Sequence, residues 1–521
     1  MTAATTPIPS APARSRGLGA WLRTLDPMLP LTCAVALGVY LLHGFGGALS
    51  RDIALYSYAG QQVADGVPPY VAVLNRAGPL AHLVPGIGAF AAQLVGADEL
   101  LGMRVLSLVI AVACIGVAYL LGRDVLRSRV AGLASAAALL CFQGVATYAT
   151  YGPREKTPLL LFLLVALLAS AHRRWVTAGV MIALATLTWQ PSFFAAIVCT
   201  LVVIAVDRES GGVRSALKVV VGGLLPPTLF LVAYAATGHL RVLLDDFVLI
   251  NWRYTEQVSY LDDLSTLYAV LDDGFGWTKW VFVVGMAAVP FAAYRALRSP
   301  LTRRDLSSAV LAGATAALMI GWWWSTKAFN GWADVFFLLP EACLGFACLV
   351  AAVARRFSPR TAVAAGVAWG LASTALTVWY VVDTRDHRLD QQRAETAGVL
   401  GALPAHDRQI LSVSAPQPLV LAHQRNPNRV QLFSNGVIAY LDDTWPGGHE
   451  GFADTIDQDR PAVVSYGRIG VRAFAKPAID AAYTCVGSSP GWYWYLRNDL
   501  GTERLQQARA ALSDHACPAT G

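Results

Sequence analysis

Residues 101–129 read LGMRVLSLVIAVACIGVAYLLGRDVLRSR, an apolar run interrupted near its start by Arg104 and closed by Arg123, Arg127 and Arg129. A helix of about 20 mostly apolar residues crosses roughly 30 Å of hydrocarbon, so 101–122 reads as a transmembrane helix. Lys and Arg collect in cytoplasmic loops beside helix ends, so the three arginines assign its far end to the inside. This reading constrains the rest, because every other apolar run must then enter or leave so that the basic joints alternate.

They alternate if the short apolar run 79–95 is left out of the count and laid in the interface or as a re-entrant segment. The first span, about 30–48, then leaves an N-terminal tail, 1–29, that carries Arg14, Arg16 and Arg23 and is expected in the cytoplasm. No small-residue cleavage site follows this span, which reads as a retained anchor rather than a removed signal peptide. Beyond Arg129 come spans at 130–148, 158–171, 175–190, 192–206, 219–237, 278–296, 307–324, 333–353 and 361–382. The inner joints hold His172-Arg173-Arg174, then Arg208, Arg214 and Lys218, then Arg295, Arg298, Arg303 and Arg304, and finally Arg355, Arg356 and Arg360. The expected fold is a polytopic α-helical membrane protein with about 11 transmembrane helices and large outer loops at 49–100 and 238–277. From Asp383 the composition turns soluble. The β-rich runs Gln409–Val413, Val430–Phe433 and Ala462–Tyr466 alternate with helix-like stretches, and predict a small extracytoplasmic α/β domain over 383–521.

The composition of the 521-residue chain agrees with this reading: 55% is hydrophobic and only 14% charged, against about 25% charged in soluble domains. A soluble enzyme of this size is excluded. So is intrinsic disorder, which needs low hydrophobicity and high charge. The 40 basic against 34 acidic groups form no dense basic domain of the kind that binds nucleic acid. Cys33, Cys114, Cys141, Cys199, Cys343 and Cys348 fall inside apolar runs, where a thiol behaves as a small buried hydrophobe. Cys485 and Cys517 fall in the outer domain, on the oxidising side, where they either pair or stay free.

An ionisable group at membrane depth is costly and marks a functional candidate, and the outward joints collect such groups. The first loop opens with Ser50-Arg51-Asp52, continues through Tyr56 and Tyr58, and closes with Asn75-Arg76-Ala77-Gly78-Pro79. Tyr151-Gly152-Pro153-Arg154-Glu155-Lys156-Thr157-Pro158 packs three adjacent charges into one short joint, and Gln190 ends the fifth span at the same face. The second loop, whose 239–270 segment reads as amphipathic, supplies His239, Arg241, Asp245, Asp246, Asn251, Arg253, Tyr254 and Glu256. Lys327, Asn330 and Asp334 follow Trp322-Trp323-Trp324, and Glu341 lies deeper, after Pro340. Each has an ordinary alternative: a first-turn acid favoured by the helix dipole for Asp52, interhelical hydrogen bonding for Gln190, an interfacial belt for the tryptophans, solvation for the rest. Taken together, the charges that lack a positive-inside explanation fall on one face. A cavity there suits group transfer from an anionic lipid, with a cation to hold the leaving phosphate and a carboxylate to take the acceptor's proton.

The order of these features resembles the C-type (GT-C) membrane glycosyltransferase superfamily, in the branch of protein O-mannosyltransferases and bacterial lipid A aminoarabinose transferases. Arg51-Asp52-Ile53-Ala54-Leu55-Tyr56 is similar to the family's loop opening, and Gly66-Val67-Pro68-Pro69-Tyr70 with Ala77-Gly78-Pro79-Leu80 to the middle and end of that loop. Leu101-Gly102-Met103-Arg104 and Leu120-Leu121-Gly122-Arg123 resemble its second span, and Arg154-Glu155 resembles its second acidic loop with one residue missing. Gln190 fits the family's polar residue before proline, and Asp334-Val335-Phe336-Phe337-Leu338-Leu339-Pro340 its later aromatic run. A single Asp52 follows Arg51 where the family often has two acids, Asn75-Arg76 stands near the place of the family's lysine, and Ala333-Asp334 replaces a His-Tyr pair.

The resemblance implies Asp52 as general base and Glu155 as its orienting partner in an inverting attack on a polyprenyl-phosphate sugar. It implies Arg154, Lys156, Arg253 and Arg76 on the donor phosphate, and Tyr56, Gln190, His239, Lys327 and Asp334 on the substrates. The acceptor is a lipid, a glycan or a protein, and no cofactor or metal is expected at this site. A multi-pass transporter or flippase and a non-catalytic scaffold remain open alternatives. Against the first stand the lack of an evident inverted repeat and of a Gly-Lys-Ser/Thr phosphate loop.

Overall fold

The computed structural model describes residues 26–255, 264–298, 305–328, 331–356, 358–468 and 473–518. Arg14, Arg16, Arg23, Glu256, Arg303, Arg304 and Asn330 lie outside the described residues. In hydrocarbon every backbone polar group must be satisfied within its own segment, and the apolar runs are accordingly helical. The helices are α1 (Met28–His43), α2 (Arg51–Ala64), α3 (Leu80–Leu94), α4 (Glu99–Leu126), α5 (Arg129–Cys141), α6 (Gln143–Tyr151), α7 (Lys156–Ala171), α8 (Trp175–Thr186), α9 (Ser192–Val206) and α10 (Val213–Ala236). After the second loop follow α11 (Leu264–Phe275), α12 (Lys279–Leu297), α13 (Leu306–Ala328), α14 (Leu339–Ala354) and α15 (Pro359–Asp383). Among the described residues, six helices are long and apolar enough to cross a membrane, or seven if α5 and α6 count as one bent span. Five more apolar helices, α1, α3, α7, α8 and α9, are shorter.

Two segments depart from a single straight helix. The run 130–148 is not one straight helix: it bends by 67° between α5 and α6. At the break the Phe142 ring packs edge-on against Phe275 and Phe282, at 5.8 and 6.3 Å between centroids. The 239–270 segment is not one amphipathic helix either. It breaks into Leu240–Leu243, a π-helical turn at Leu244–Leu249 and a last short turn at Ile250–Arg253.

The two ends of the bundle differ in chemistry. At one end Asp26 takes Arg123 and Arg129 at 3.3 and 3.2 Å, Asp207 takes Arg173 at 2.6 Å, and Asp124 meets His172 at 3.0 Å. At the other end sits a four-stranded mixed sheet with order β1-β2-β4-β3. Strand β1 (Ile410–Val413) runs parallel to β2 (Val463–Gly467), while β4 (Trp492–Arg497) runs antiparallel to both β2 and β3 (Tyr483–Ser489). The expected strand at Val430–Phe433 is absent: this segment forms no ladder with β1, and just past that strand the Ser414 N–H donates to the Gln431 carbonyl at 2.8 Å.

Helix α2 joins the two parts. Its Ile53, Ala54, Leu55 and Tyr58 share one core with Val399, Leu419, Trp492 and Trp494 of the C-terminal domain. The Gln392 amide fastens the start of the helix by bonding both the N–H and the carbonyl of Leu49, at 2.8 and 3.1 Å. At the edge of the sheet Cys485 and Cys517 are disulfide-bonded, with Cα atoms 6.1 Å apart.

Replacing both cysteines by serine is expected to lower the stability of this domain by about 3–4 kcal/mol in the loop-entropy model. The loss should appear as faster limited proteolysis within 473–518, with the membrane helices still protected.

Candidate functional site

The site forms where two short joints meet at the sheet end of the bundle. Ser50 caps α2 by accepting from the Ile53 N–H at 3.4 Å, which brings Arg51 and Asp52 into the first turn, where a carboxylate complements the helix dipole. In the other joint α6 ends at Tyr151 and α7 begins at Lys156, with Pro158 tolerated in its first turn. Arg154, Glu155 and Lys156 are thereby held with almost no slack.

These residues form one alternating chain of charge. Arg51 Nε lies 3.1 Å from Asp52 Oδ1, and Asp52 Oδ2 lies 2.8 Å from Arg154 Nη1. Arg154 Nε approaches Glu155 Oε2 at 3.1 Å. Lys156 Nζ closes the row between Glu155 Oε1, at 3.4 Å, and Asp334 Oδ1, at 3.0 Å. Aromatic faces line it: Arg154 sits over the rings of Tyr56 and Tyr148 at 5.3 and 5.8 Å, and Lys156 over Trp189 at 3.5 Å. Such faces attract cations, most strongly where water is excluded.

Exposure falls from Asp52 to Lys156. The Asp52 side chain is 39% exposed, Arg154 14%, and Lys156 only 2%. Asp52 is therefore the carboxylate a substrate reaches first. Burial acts to raise its pKa, but the charges of Arg154 and Arg51 outweigh this and hold the carboxyl at about 2. Behind the row, Arg154 and Glu155 also line a narrow apolar cleft with Val84, Pro85, Met103 and Ile110.

A second cluster, gathered around Arg76, braces the first loop. Gln190 donates to the carbonyls of Arg76 and Phe247, both at 3.1 Å. Arg76 in turn donates to Asn251 at 3.3 Å and Thr255 at 2.7 Å. Gly78 permits this closure: its N–H donates to the Thr188 carbonyl, and a Cβ there would lie 2.0 Å from the Leu187 carbonyl.

Of the residues singled out from the sequence, Asp52, Tyr56, Arg154, Glu155, Lys156 and Asp334 converge, and Arg76 and Gln190 meet beside them. Three do not join the row. Arg253 is exposed on the last short turn of the second loop, Lys327 lies over the Trp323 ring at 4.5 Å, and His239 sits beyond the end of α10. Glu341 is buried, with Oε2 lacking a hydrogen-bond partner among the described residues. Sequence reading passed over Tyr148 and the Trp189 ring, whose role depends on folding, and Arg429, whose Nη1 meets the buried Asp246 at 2.7 Å.

Compared as a structure, the chain is similar to ArnT from Cupriavidus metallidurans bound to undecaprenyl phosphate. The TM-score is 0.58 at 17% identity, over 90% of this chain and 97% of that one. The chain has the GT-C fold. The oligosaccharyltransferase of Archaeoglobus fulgidus in complex with Zn and sulfate matches with a TM-score of 0.53 at 13% identity, over 90% of this chain and 73% of that one. AglB from the same organism, with an inhibitory peptide and a dolichol-phosphate, gives 0.51 at 13% identity over 92% and 75%. No protein-family model and no curated protein matches the sequence.

Removing one partner of a buried ion pair leaves an uncompensated charge, at a cost of about 3–5 kcal/mol. Lys156→Met strands Glu155 and Asp334 together and is expected to lower the unfolding midpoint sharply in a detergent thermal scan. The double variant Lys156→Met/Glu155→Gln should recover part of that loss.

Proposed function

We propose that this GT-C-fold protein is a glycosyltransferase that moves a sugar from a polyprenyl-phosphate donor to an acceptor hydroxyl, with inversion at the anomeric carbon. The observation that carries the reading is the Asp52–Arg154 pair at the open end of a buried charge row, beside an apolar cleft. The fold adds support, since similar structures hold undecaprenyl phosphate and dolichol-phosphate.

In this reading the donor phosphate enters against Arg154 and Arg51. Held at about 2 by two guanidinium groups, Asp52 is ionised but a poor base. When phosphate draws the guanidinium charge away, the carboxylate regains basicity as the sugar arrives. Asp52 then takes the proton of the acceptor hydroxyl, and the acceptor oxygen bonds to the anomeric carbon. The bond from that carbon to the phosphate oxygen breaks, and the lipid phosphate leaves with the electron pair, stabilised by Arg154 and Lys156. Glu155 keeps Arg154 and Lys156 apart and oriented. Arg76 and Gln190 fix the loop over the sugar, with Tyr56 and Asp334 on its near side; His239, Arg253 and Lys327 are available to a longer acceptor.

The proposed topology has eleven spans: α1, α4, α5 with α6, α7, α8, α9, α10, α12, α13, α14 and α15. The tail 1–29 is cytoplasmic, the loops 49–100 and 238–277 and the domain 383–521 are extracytoplasmic, and α3 does not cross. Arginines gathered at the opposite end support this orientation.

The test is turnover of a polyprenyl-phosphate sugar by the full chain in lipid nanodiscs, followed by released polyprenyl phosphate. Asp52→Asn should slow release by about 10²–10⁴-fold, the range for a general base, while retaining lipid-phosphate binding. Near-normal turnover by that variant removes Asp52 from the mechanism. Movement of the intact donor across the bilayer without release favours a flippase.

A further inference from the structure

Away from the charge row, three segments distant in sequence bring metal-ligating side chains together. Asp65 caps the C-terminus of α2, Glu99 opens α4, and His423 follows the short helix Gln417–Leu421 of the C-terminal domain. His423 Nε2 is 3.2 Å from Asp65 Oδ2, and His423 Nδ1 is 3.1 Å from Glu99 Oε2. One ligand atom from each residue can be chosen so that all lie within 4.8 Å of one another.

The surroundings are those of an oriented ligand set. The Gln93 amide, in the last turn of α3, donates to Asp65 Oδ1 at 3.1 Å and to Glu99 Oε1 at 2.9 Å. Each carboxylate is thus held by one oxygen and turns the other toward the His423 ring, Asp65 toward Nε2 and Glu99 toward Nδ1, and such outer hydrogen bonds are what orient metal ligands. Glu99 Oε2 is shielded from solvent and accepts no hydrogen bond among the described residues, although His423 Nδ1 lies 3.1 Å away. A buried carboxylate oxygen without a donor costs free energy that a cation would recover. One imidazole and two carboxylates suit a borderline divalent ion, which takes nitrogen and oxygen at about 2.0–2.2 Å.

We propose that Asp65, Glu99 and His423 bind one zinc-class divalent cation, with water completing the shell. The ion links α2, α4 and the C-terminal domain. It anchors the far end of the helix whose first turn carries Asp52, and so acts as a structural link rather than a participant in sugar transfer. The proposal does not depend on the transferase reading, and its test does not use activity.

Full-length protein, stripped with chelator in detergent, is dialysed against zinc and then against metal-free buffer. The expected result is one retained zinc per chain and a thermal midpoint raised by several degrees. Glu99→Gln and His423→Ala should weaken zinc binding at least tenfold and lose the shift. His423→Cys, which keeps a zinc ligand, should restore both, showing that the loss in the alanine variant is not misfolding. The proposal is overturned if the wild-type chain retains no zinc, or if His423→Ala retains it equally. It is likewise overturned if stability responds only to acidification through the imidazole range, since the three residues would then be a proton-bridged clamp.

Discussion

Arg104 is the constraint on which the rest of the site depends. Its guanidinium is fully buried and donates to three backbone carbonyls, those of Phe45, Gly47 (at 2.7 Å) and Gly152 (at 3.3 Å). Phe45 and Gly47 lead into the turn that carries Asp52, and Gly152 leads into the turn that carries Arg154. Five N–H donors in a rigid planar fork allow one side chain to fix both backbones at once. Gly47 lies so close to the Tyr151 ring that a Cβ would stand 2.5 Å from it, and Tyr151 stacks on His43 at 3.9 Å. The 2.8 Å Asp52–Arg154 contact is thus set by backbone placement before either charge is considered.

The charge row obeys the rule that follows from a low dielectric. A buried ion is tolerated when it is paired or, like Arg104, fully hydrogen-bonded, and in this row the sign alternates along Arg51, Asp52, Arg154, Glu155, Lys156 and Asp334. Pairing holds the groups in place without a substrate, which is the preorganisation that electrostatic stabilisation of a reaction needs. It also suppresses the reactivity of each member, Asp52 most of all. A phosphodiester anion arriving at the more open end would draw guanidinium charge from Asp52 and raise the basicity of its carboxylate.

What the sequence made legible follows from how local each signal is. The helices carry their own evidence in apolar length, and the convergence of Arg154, Glu155 and Lys156 is legible because they are adjacent. Asp52 was legible as a charge at a helix start. The bend at Phe142 was not, since it depends on Phe275 and Phe282 packing from far along the chain. The aromatic run Trp492-Tyr493-Trp494-Tyr495, followed by Leu496 and Arg497, did carry a strand signal in its composition. That strand and its partner β3 were passed over in favour of Val430–Phe433, whose β-branched and aromatic residues instead fill the core beside β1. Lys327 and Arg253 share the chemistry of Lys156 and Arg154, but no sequence signal says which cation turns inward and which lies over an exposed tryptophan or faces solvent.

The C-terminal domain, read from sequence as an appended unit, is structurally part of the site. Helix α2 presents Asp52 at one end and inserts Ile53, Leu55 and Tyr58 into the core built on Trp492 and Trp494. The second loop is tied to the same domain by the buried Asp246–Arg429 pair and by Tyr254, whose hydroxyl donates to Asp443 at 2.8 Å. Any shift of the sheet relative to the bundle therefore moves Asp52 and the loop around Arg76 together, while Arg154 and Lys156 stay with the membrane helices. Asp52 and Arg154 thus stand on different segments, joined by Arg104 and by their own ion pair.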